Sequence, residues 1–268
     1  MSPRALIAGI SVNAIAGCLH FDRPTLVRRL ATATLRGRAG HGLRDLAPHM
    51  VSQWFKPGQG HHIPPACLFQ SLHGHAGVDG QFPFRIVTWD PPGELLPALV
   101  AALRHSEGKP FGESGTLIER VEFGEAMRLE CSGAPRAVAA CEIHLVTPLQ
   151  VSAGSAWADA SCFTLGHLVK AMVNRLNALS LYYGNGQQMD AMPFLADAAM
   201  VREVARQLDW VSPRRYSSPQ DTSIAMSGVV GVLSVQGLSS LLADLLGAAA
   251  IFHLGRHTAE GCGYVLLA

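Results

Sequence analysis

Apolar positions recur at two spacings along the chain, and the alternation between them predicts its elements. Ile10, Val12 and Ala14 fall on one face of an opening strand that ends near Leu19. Pro24 suits the first position of a helix, with Asp22 before it as a cap. Leu26, Leu30 and Leu35 give that helix a partial stripe, while Gly37, Gly40 and Gly42 predict a break, with helix resuming toward Trp54. Residues 56–65 (KPGQGHHIPP) read as a loop. Strands are predicted over 66–72 and 82–88, and a turn over 90–93. A helix over 94–105 follows, with Leu95, Leu99 and Leu103 on one face. A glycine-containing connection over 108–115 leads to a strand over 116–123.

The second half repeats this order. A long strand over 136–149 breaks at Pro148. The helix over 163–183 places Leu165, Leu168, Met172, Leu176 and Leu179 on its apolar face. Strands follow over 211–216 and 227–236. A short helix over 238–246 stops at Gly247, and a terminal strand covers 263–268. The expectation is an α+β protein with tandem ferredoxin-like (RRM-like) domains, 1–133 and 134–268, joined near 132–135. The first domain carries an arginine-rich helical segment and the second a C-terminal glycine-rich loop.

Composition narrows the classes. With 49% hydrophobic and 15% charged residues in 268, the chain is a folded one. Its six cysteines are scattered without a CxxC pair, which points to a reduced cytoplasm. No run reaches the roughly 18 to 20 apolar residues a membrane span needs. Ile15-Ala16-Gly17-Cys18 resembles a lipoprotein cleavage box. However, only Arg4 supplies basic charge before it, and Ser11 and Asn13 interrupt the apolar run, so a strand is the preferred reading. Formal net charge is +1, so any nucleic-acid contact needs local positive charge. Arg23, Arg28, Arg29, Arg36, Arg38 and Arg44 supply it, opposed only by Asp22 and Asp45. A solvated helix face would also look charged, but the excess of arginine favours a phosphate track. His61, His62, Cys67, His73 and His75 could ligate zinc, with His73 and His75 on one face of a strand. No standard finger spacing is present, and no metal is expected.

The C-terminal segment His253-Leu254-Gly255-Arg256-His257-Thr258-Ala259-Glu260-Gly261-Cys262-Gly263-Tyr264 carries a resemblance. It resembles the glycine-rich loop of CRISPR-associated RAMP-superfamily endoribonucleases that process repeat RNA. There a G-basic-x-T-x-x-G-x-G pattern precedes the last strand. Gly255, Gly261 and Gly263 hold the glycine positions, and Arg256 and His257 are the basic residues. Glycines let backbone N–H groups approach a phosphate, and an arginine adds a forked contact. Other segments resemble the family in order: Leu35 to Arg44 (LRGRAGHGLR), Pro64 to Phe69 (PPACLF), Leu96 to Leu103 (LPALVAAL), Thr147-Pro148-Leu149, Asn174-Arg175-Leu176, Leu181-Tyr182-Tyr183-Gly184, Arg214-Arg215-Tyr216-Ser217, and Gly228 to Leu233. The arginine-rich N-terminal segment and compact size place the resemblance near the type IV branch.

The resemblance implies a metal-independent cut of CRISPR repeat RNA, by attack of a ribose 2′-OH on the adjacent phosphate. It implies no cofactor. The partners it implies are repeat RNA, the mature guide RNA and other CRISPR effector subunits, with no membrane and no DNA contact for the isolated protein. Such chemistry needs a base, an acid and donors for the phosphorane. His41 is the first candidate for acid or base, with His20 and His49 as rivals. Arg23 and Arg38 are the candidate phosphorane donors. Arg28, Arg29, Arg36, Arg44, Arg214, Arg215, Tyr216, Gly255, Arg256, His257, Gly261 and Gly263 are the expected RNA contacts. Tyr182 and Tyr183 would stack a base or lie in the core. A non-catalytic RNA-binding subunit on the same fold is the alternative, and a lipidated protein built on Cys18 is a third reading.

Overall fold

The computed structural model describes residues 2–25, 31–56, 63–72, 80–112, 115–129, 137–154, 156–217 and 222–268. The chain forms two compact units. One comprises Ile10–Glu130 with Ala259–Gly261; the other comprises Met1–Gly9, Cys131–Thr258 and Cys262–Ala268.

An unexpected helix, α1 (Pro3–Ala8), opens the chain. It is capped by Ser2, whose Oγ accepts from Ala5 N at 3.3 Å. The N-terminal unit then runs β1 (Asn13–Phe21), α2 (Ala31–Leu46), α3 (Pro48–Met50) with a π-helical turn Val51–Phe55, β2 (Cys67–Ser71), β3 (Gln81–Thr88), α4 (Leu95–Arg104), β4 (Ile118–Phe123) and β5 (Met127–Arg128). Its strand order is β2-β3-β1-β4, all antiparallel, with β5 also on β1. This is a split βαβ unit. Leu19, Phe84, Ile86, Leu35, Leu43, Leu99 and Leu103 form its core. Asp90 fixes the start of α4, its Oδ2 accepting from Leu95 N at 3.0 Å.

Two expectations fail here. First, α2 is continuous across Gly37, Gly40 and Gly42, where a break was expected. The glycines thin the helix so that neighbours can approach. A Cβ on Gly40 would lie 2.8 Å from the Phe55 ring, and one on Gly42 would strike the Ala102 backbone of α4. Second, Asp22 does not cap a helix at Pro24: its Oδ1 accepts from Leu117 N at 3.0 Å. Residues 26–30, where that helix was expected, lie outside the described residues, as do His61, His62, His73 and His75. Cys18 stands mid-way along β1, opposite Pro83 on one side and Glu122 on the other, in keeping with the strand preferred over the lipoprotein-like box.

The C-terminal unit runs β6 (Val138–Leu149), β7 (Ser152–Ala153), β8 (Ala156–Trp157), α5 (Leu165–Tyr183), α6 (Met192–Met200), β9 (Arg202–Val211), β10 (Arg214–Ser217), β11 (Thr222–Ala225), β12 (Gly228–Leu238), α7 (Ser240–Gly247), α8 (Ala249–Phe252) and β13 (Val265–Leu267). The sheet order β13-β6-β12-β9 repeats the first unit's arrangement, since β9-β12-β6-β13 corresponds to β2-β3-β1-β4. The tandem ferredoxin-like expectation is therefore met. β6 runs through Pro148 to Leu149 without the expected break, and α7 takes in Gly247 instead of stopping before it. α5 starts at Thr164 with a capping box to His167. The β10–β11 hairpin extends the turn between β9 and β12.

Candidate nucleic-acid interface

Helical phase sorts the N-terminal arginines. Residues 36, 40 and 43 share one face of α2, and residues 38, 41 and 45 another. Arg36 is accordingly buried rather than on a phosphate track. Its guanidinium lies over the Phe55 ring at 4.4 Å, donates to Phe55 O at 3.0 Å and pairs with Glu260 at 3.4 Å. Arg38 is half-buried and donates to Pro110 O, and burial pulls its guanidinium below the ordinary value. His41 and Arg44 are exposed on the same helix, with Arg44 donating to His41 Nδ1 at 2.7 Å. Desolvation lowers the His41 pKa first, and Arg44, Arg38 and Lys109 lower it further against an opposing Asp45. The imidazole is therefore held neutral near pH 7, and the Arg44 bond places its single ring proton on Nε2.

Arg38, His41 and Arg44 are thus brought together, with Lys109 nearby as a cation that sequence reasoning passed over. Arg23 is exposed in the chain following β1, where its carbonyl accepts from Thr25 Oγ1. Arg28 and Arg29 lie outside the described residues. Of the rival histidines, His20 on β1 meets Glu122 at 2.9 Å, and His49 is exposed in α3. Cys67 is fully buried, and burial pushes its thiol up to about 12. Among the described residues, no group of three or more His, Cys, Asp or Glu could hold a metal ion.

In the C-terminal unit the glycine-rich segment is moored on the end of β6. Gly263 N donates to Pro148 O at 3.0 Å, Tyr264 N to Thr147 Oγ1 at 2.9 Å, and Arg256 N to Gln150 O at 3.3 Å. Gly255 and Gly263 have φ of 73° and 72°, and a Cβ on either would meet backbone oxygen. Both are therefore required by the packing of the loop itself. Gly261, at φ 91°, packs with the N-terminal unit against Thr32, whose Oγ1 donates to Glu260 O at 2.6 Å. Arg256 is exposed, and His257 takes φ 58°, unusual for a residue with a Cβ.

Beneath this loop His253 is buried. Its Nδ1–H donates to Cys262 O at 3.1 Å, and its ring stacks on Tyr264 with centroids 5.1 Å apart. Burial drives its pKa down to about 3, so the ring stays neutral at pH 7. Arg175, lowered to about 10 by burial, donates to Phe252 O at 3.3 Å and remains charged. On the hairpin, Arg214 is exposed and donates to Ser223 Oγ at 3.0 Å, Arg215 is half-buried, and Tyr216 pairs with Ser223. Tyr183 is core, whereas Tyr182 is exposed.

Two split βαβ units, with a basic helix face in the first and a backbone-dense glycine loop in the second, give this chain a tandem ferredoxin-like architecture. Residues 143–265 match the family described as CRISPR-associated endoribonuclease Cas6. Among solved structures, a Cas6 product complex shares 13% identity with a TM-score of 0.61, over 97% of this chain and 100% of that one. A Cas6-related protein from Pyrococcus furiosus gives 12% identity and 0.53, over 96% of this chain and 98% of the other. A chain of a partial Cas6-RT-Cas1–Cas2 complex gives 11% identity and 0.61, over 97% of this chain and 46% of the other. No curated protein matches the chain by sequence. The family match and the shared fold bear out the resemblance to CRISPR repeat-processing endoribonucleases. No helix among the described residues is long and apolar enough to cross a membrane.

Proposed function

We propose that the protein is a metal-independent endoribonuclease that cuts CRISPR repeat RNA into guide RNAs. The observation that carries this reading is the α2 face, where a histidine held neutral stands between two arginines. In the proposed reaction Arg44 turns from His41 Nδ1 to a phosphate oxygen. Nδ1 then takes the 2′-OH proton as the 2′-oxygen attacks phosphorus. The bond from phosphorus to the 5′-oxygen breaks, and that oxygen takes a proton from solvent, leaving a 2′,3′-cyclic phosphate and a 5′-OH. Arg38, released from Pro110 O, and Arg23 meet the phosphorane charge. The glycine-rich loop, Arg256, His257 and the Arg214–Tyr216 hairpin hold the RNA through its phosphates. Its proposed setting is the cytoplasm, among other effector subunits and near the type IV branch, and the guide RNA stays bound after cleavage.

One observation favours a second reading, a non-catalytic RNA-binding subunit: Arg38 already donates to Pro110 O and must let go to reach a phosphate. A labelled repeat hairpin incubated in EDTA separates the two. We expect a single cut that disappears when the ribose just upstream is 2′-deoxy. His41→Ala and Arg38→Ala should each slow that cut about 100-fold or more while leaving RNA bound. Tight binding with no cleavage establishes the second reading, and absence of binding refutes both.

A further inference from the structure

We infer that Trp157 and Arg256 form a stacking platform for one unpaired nucleobase, held beside the glycine-rich loop; this rests on the RNA-binding reading above. β6 ends at Leu149 and the chain doubles back at once through β7 and β8, pairing Ser152 with Trp157 and Ala153 with Ala156. The root of this hairpin is firm. Leu149, Val151 and Ala158 are buried, and Ala158 N donates to Val151 O at 2.9 Å. The glycine-rich loop is tied to the same root by Arg256 N donating to Gln150 O. Gly255 comes so close to Gln150 O that no side chain fits there, which sets where Arg256 starts. Two separate backbone segments thus present their side chains to one another. The Arg256 guanidinium lies over the indole, 5.3 Å from the ring centroid.

Trp157 nevertheless keeps 45% of its surface in solvent, and Arg256 is exposed as well. A large apolar ring on a rigid support, left open beside a cation, matches what single-stranded RNA recognition uses. The indole or the guanidinium plane stacks a base, and the charge serves the phosphate that follows it. An apolar peptide would have no use for the arginine. A paired base would be unavailable to the ring, so the ligand is an unpaired nucleotide, such as one flanking a repeat hairpin. Stacking of this kind tolerates any base and adds affinity and register in place of sequence readout.

The test is binding of labelled repeat RNA, hairpin plus flanks, by the full-length protein, read by fluorescence anisotropy. A series of RNAs carrying one abasic site at each flanking position is run alongside. We expect one abasic position to weaken binding to the unaltered protein by roughly 5- to 100-fold. Trp157→Ala should weaken intact RNA by a similar factor, the two losses should not add, and Trp157→Phe should retain most of the affinity. The abasic series on the unaltered protein needs no variant to fold. If that protein binds tightly but no abasic position matters, or Trp157→Ala binds within about twofold, the platform is overturned and the RNA reading stands. If the unaltered protein binds no RNA, both are overturned.

Discussion

At the scale of single residues, position on α2 decides what each of its arginines does. Arg36 sits among Phe55 and Glu260, while Arg44, two turns on, is exposed against His41. The consequence for His41 is testable through pH. Its pKa is lowered chiefly by desolvation and next by Arg44, so the neutral base persists below the ordinary value of 6.5. Cleavage should therefore fall off only when pH drops through that lowered pKa. Arg44→Ala removes one of the depressing charges and raises the His41 pKa, so the acid limb of kcat/KM should move to higher pH. His41→Ala should abolish that limb. A profile for Arg44→Ala superimposable on that of the unaltered protein would show that the base lies elsewhere. The cluster was visible in the sequence as charge, but its division was not. That division depends on α2 being one uninterrupted helix, and three glycines hid the fact.

Among the elements, α2 shows why the same residue type reads as a breaker in sequence and serves as a spacer in the fold. Gly42 lies against the Ala102 backbone, where an added methyl group has no room, whereas nothing stands within 4 Å of a Cβ on Gly37. Gly37→Ala should stabilise the protein by about 0.5–1 kcal/mol, because a helical glycine without a packing role only adds freedom to the unfolded chain. Gly42→Ala should cost about 1–3 kcal/mol, the usual range for overpacking. Equilibrium urea unfolding of the full chain reads both, and equal effects from the two would refute the spacer argument. Elsewhere, elements with a buried face were legible: α5, with Leu168, Met172, Leu176 and Leu179 inside, begins within two residues of its predicted start. β9 was not, because at a sheet edge all ten of its residues stay exposed or half-buried and Arg206 interrupts Val204, Leu208 and Trp210. α6 was missed as well, although Asp190 marks its start by accepting from Met192 N at 3.0 Å. Trp157 carried no signal at all, since an exposed tryptophan and a core one look alike in a sequence.

For the whole molecule, 21 basic residues against 20 acidic ones leave almost no general field to draw in a polyanion. On the proposed reading, RNA affinity must then come from cations whose charge no carboxylate cancels, and the structure distinguishes these from the rest. Arg206 is exposed but held by Glu203 through two bonds of 2.6 and 2.8 Å, so its charge is already answered. Arg214, on the adjoining hairpin, donates to the neutral Ser223, and Arg256 lies over the face of Trp157. Salt dependence separates the two kinds. Each phosphate neutralised on a single strand contributes about 0.7 to the slope of log affinity against log salt. Arg214→Ala and Arg256→Ala should each reduce that slope by about 0.7, whereas Arg206→Ala should leave it unchanged although it removes the same formal charge. Equal reductions from all three would mean that RNA senses only the net charge of the protein. The local distribution of cations would then play no part in how this near-neutral chain engages its substrate.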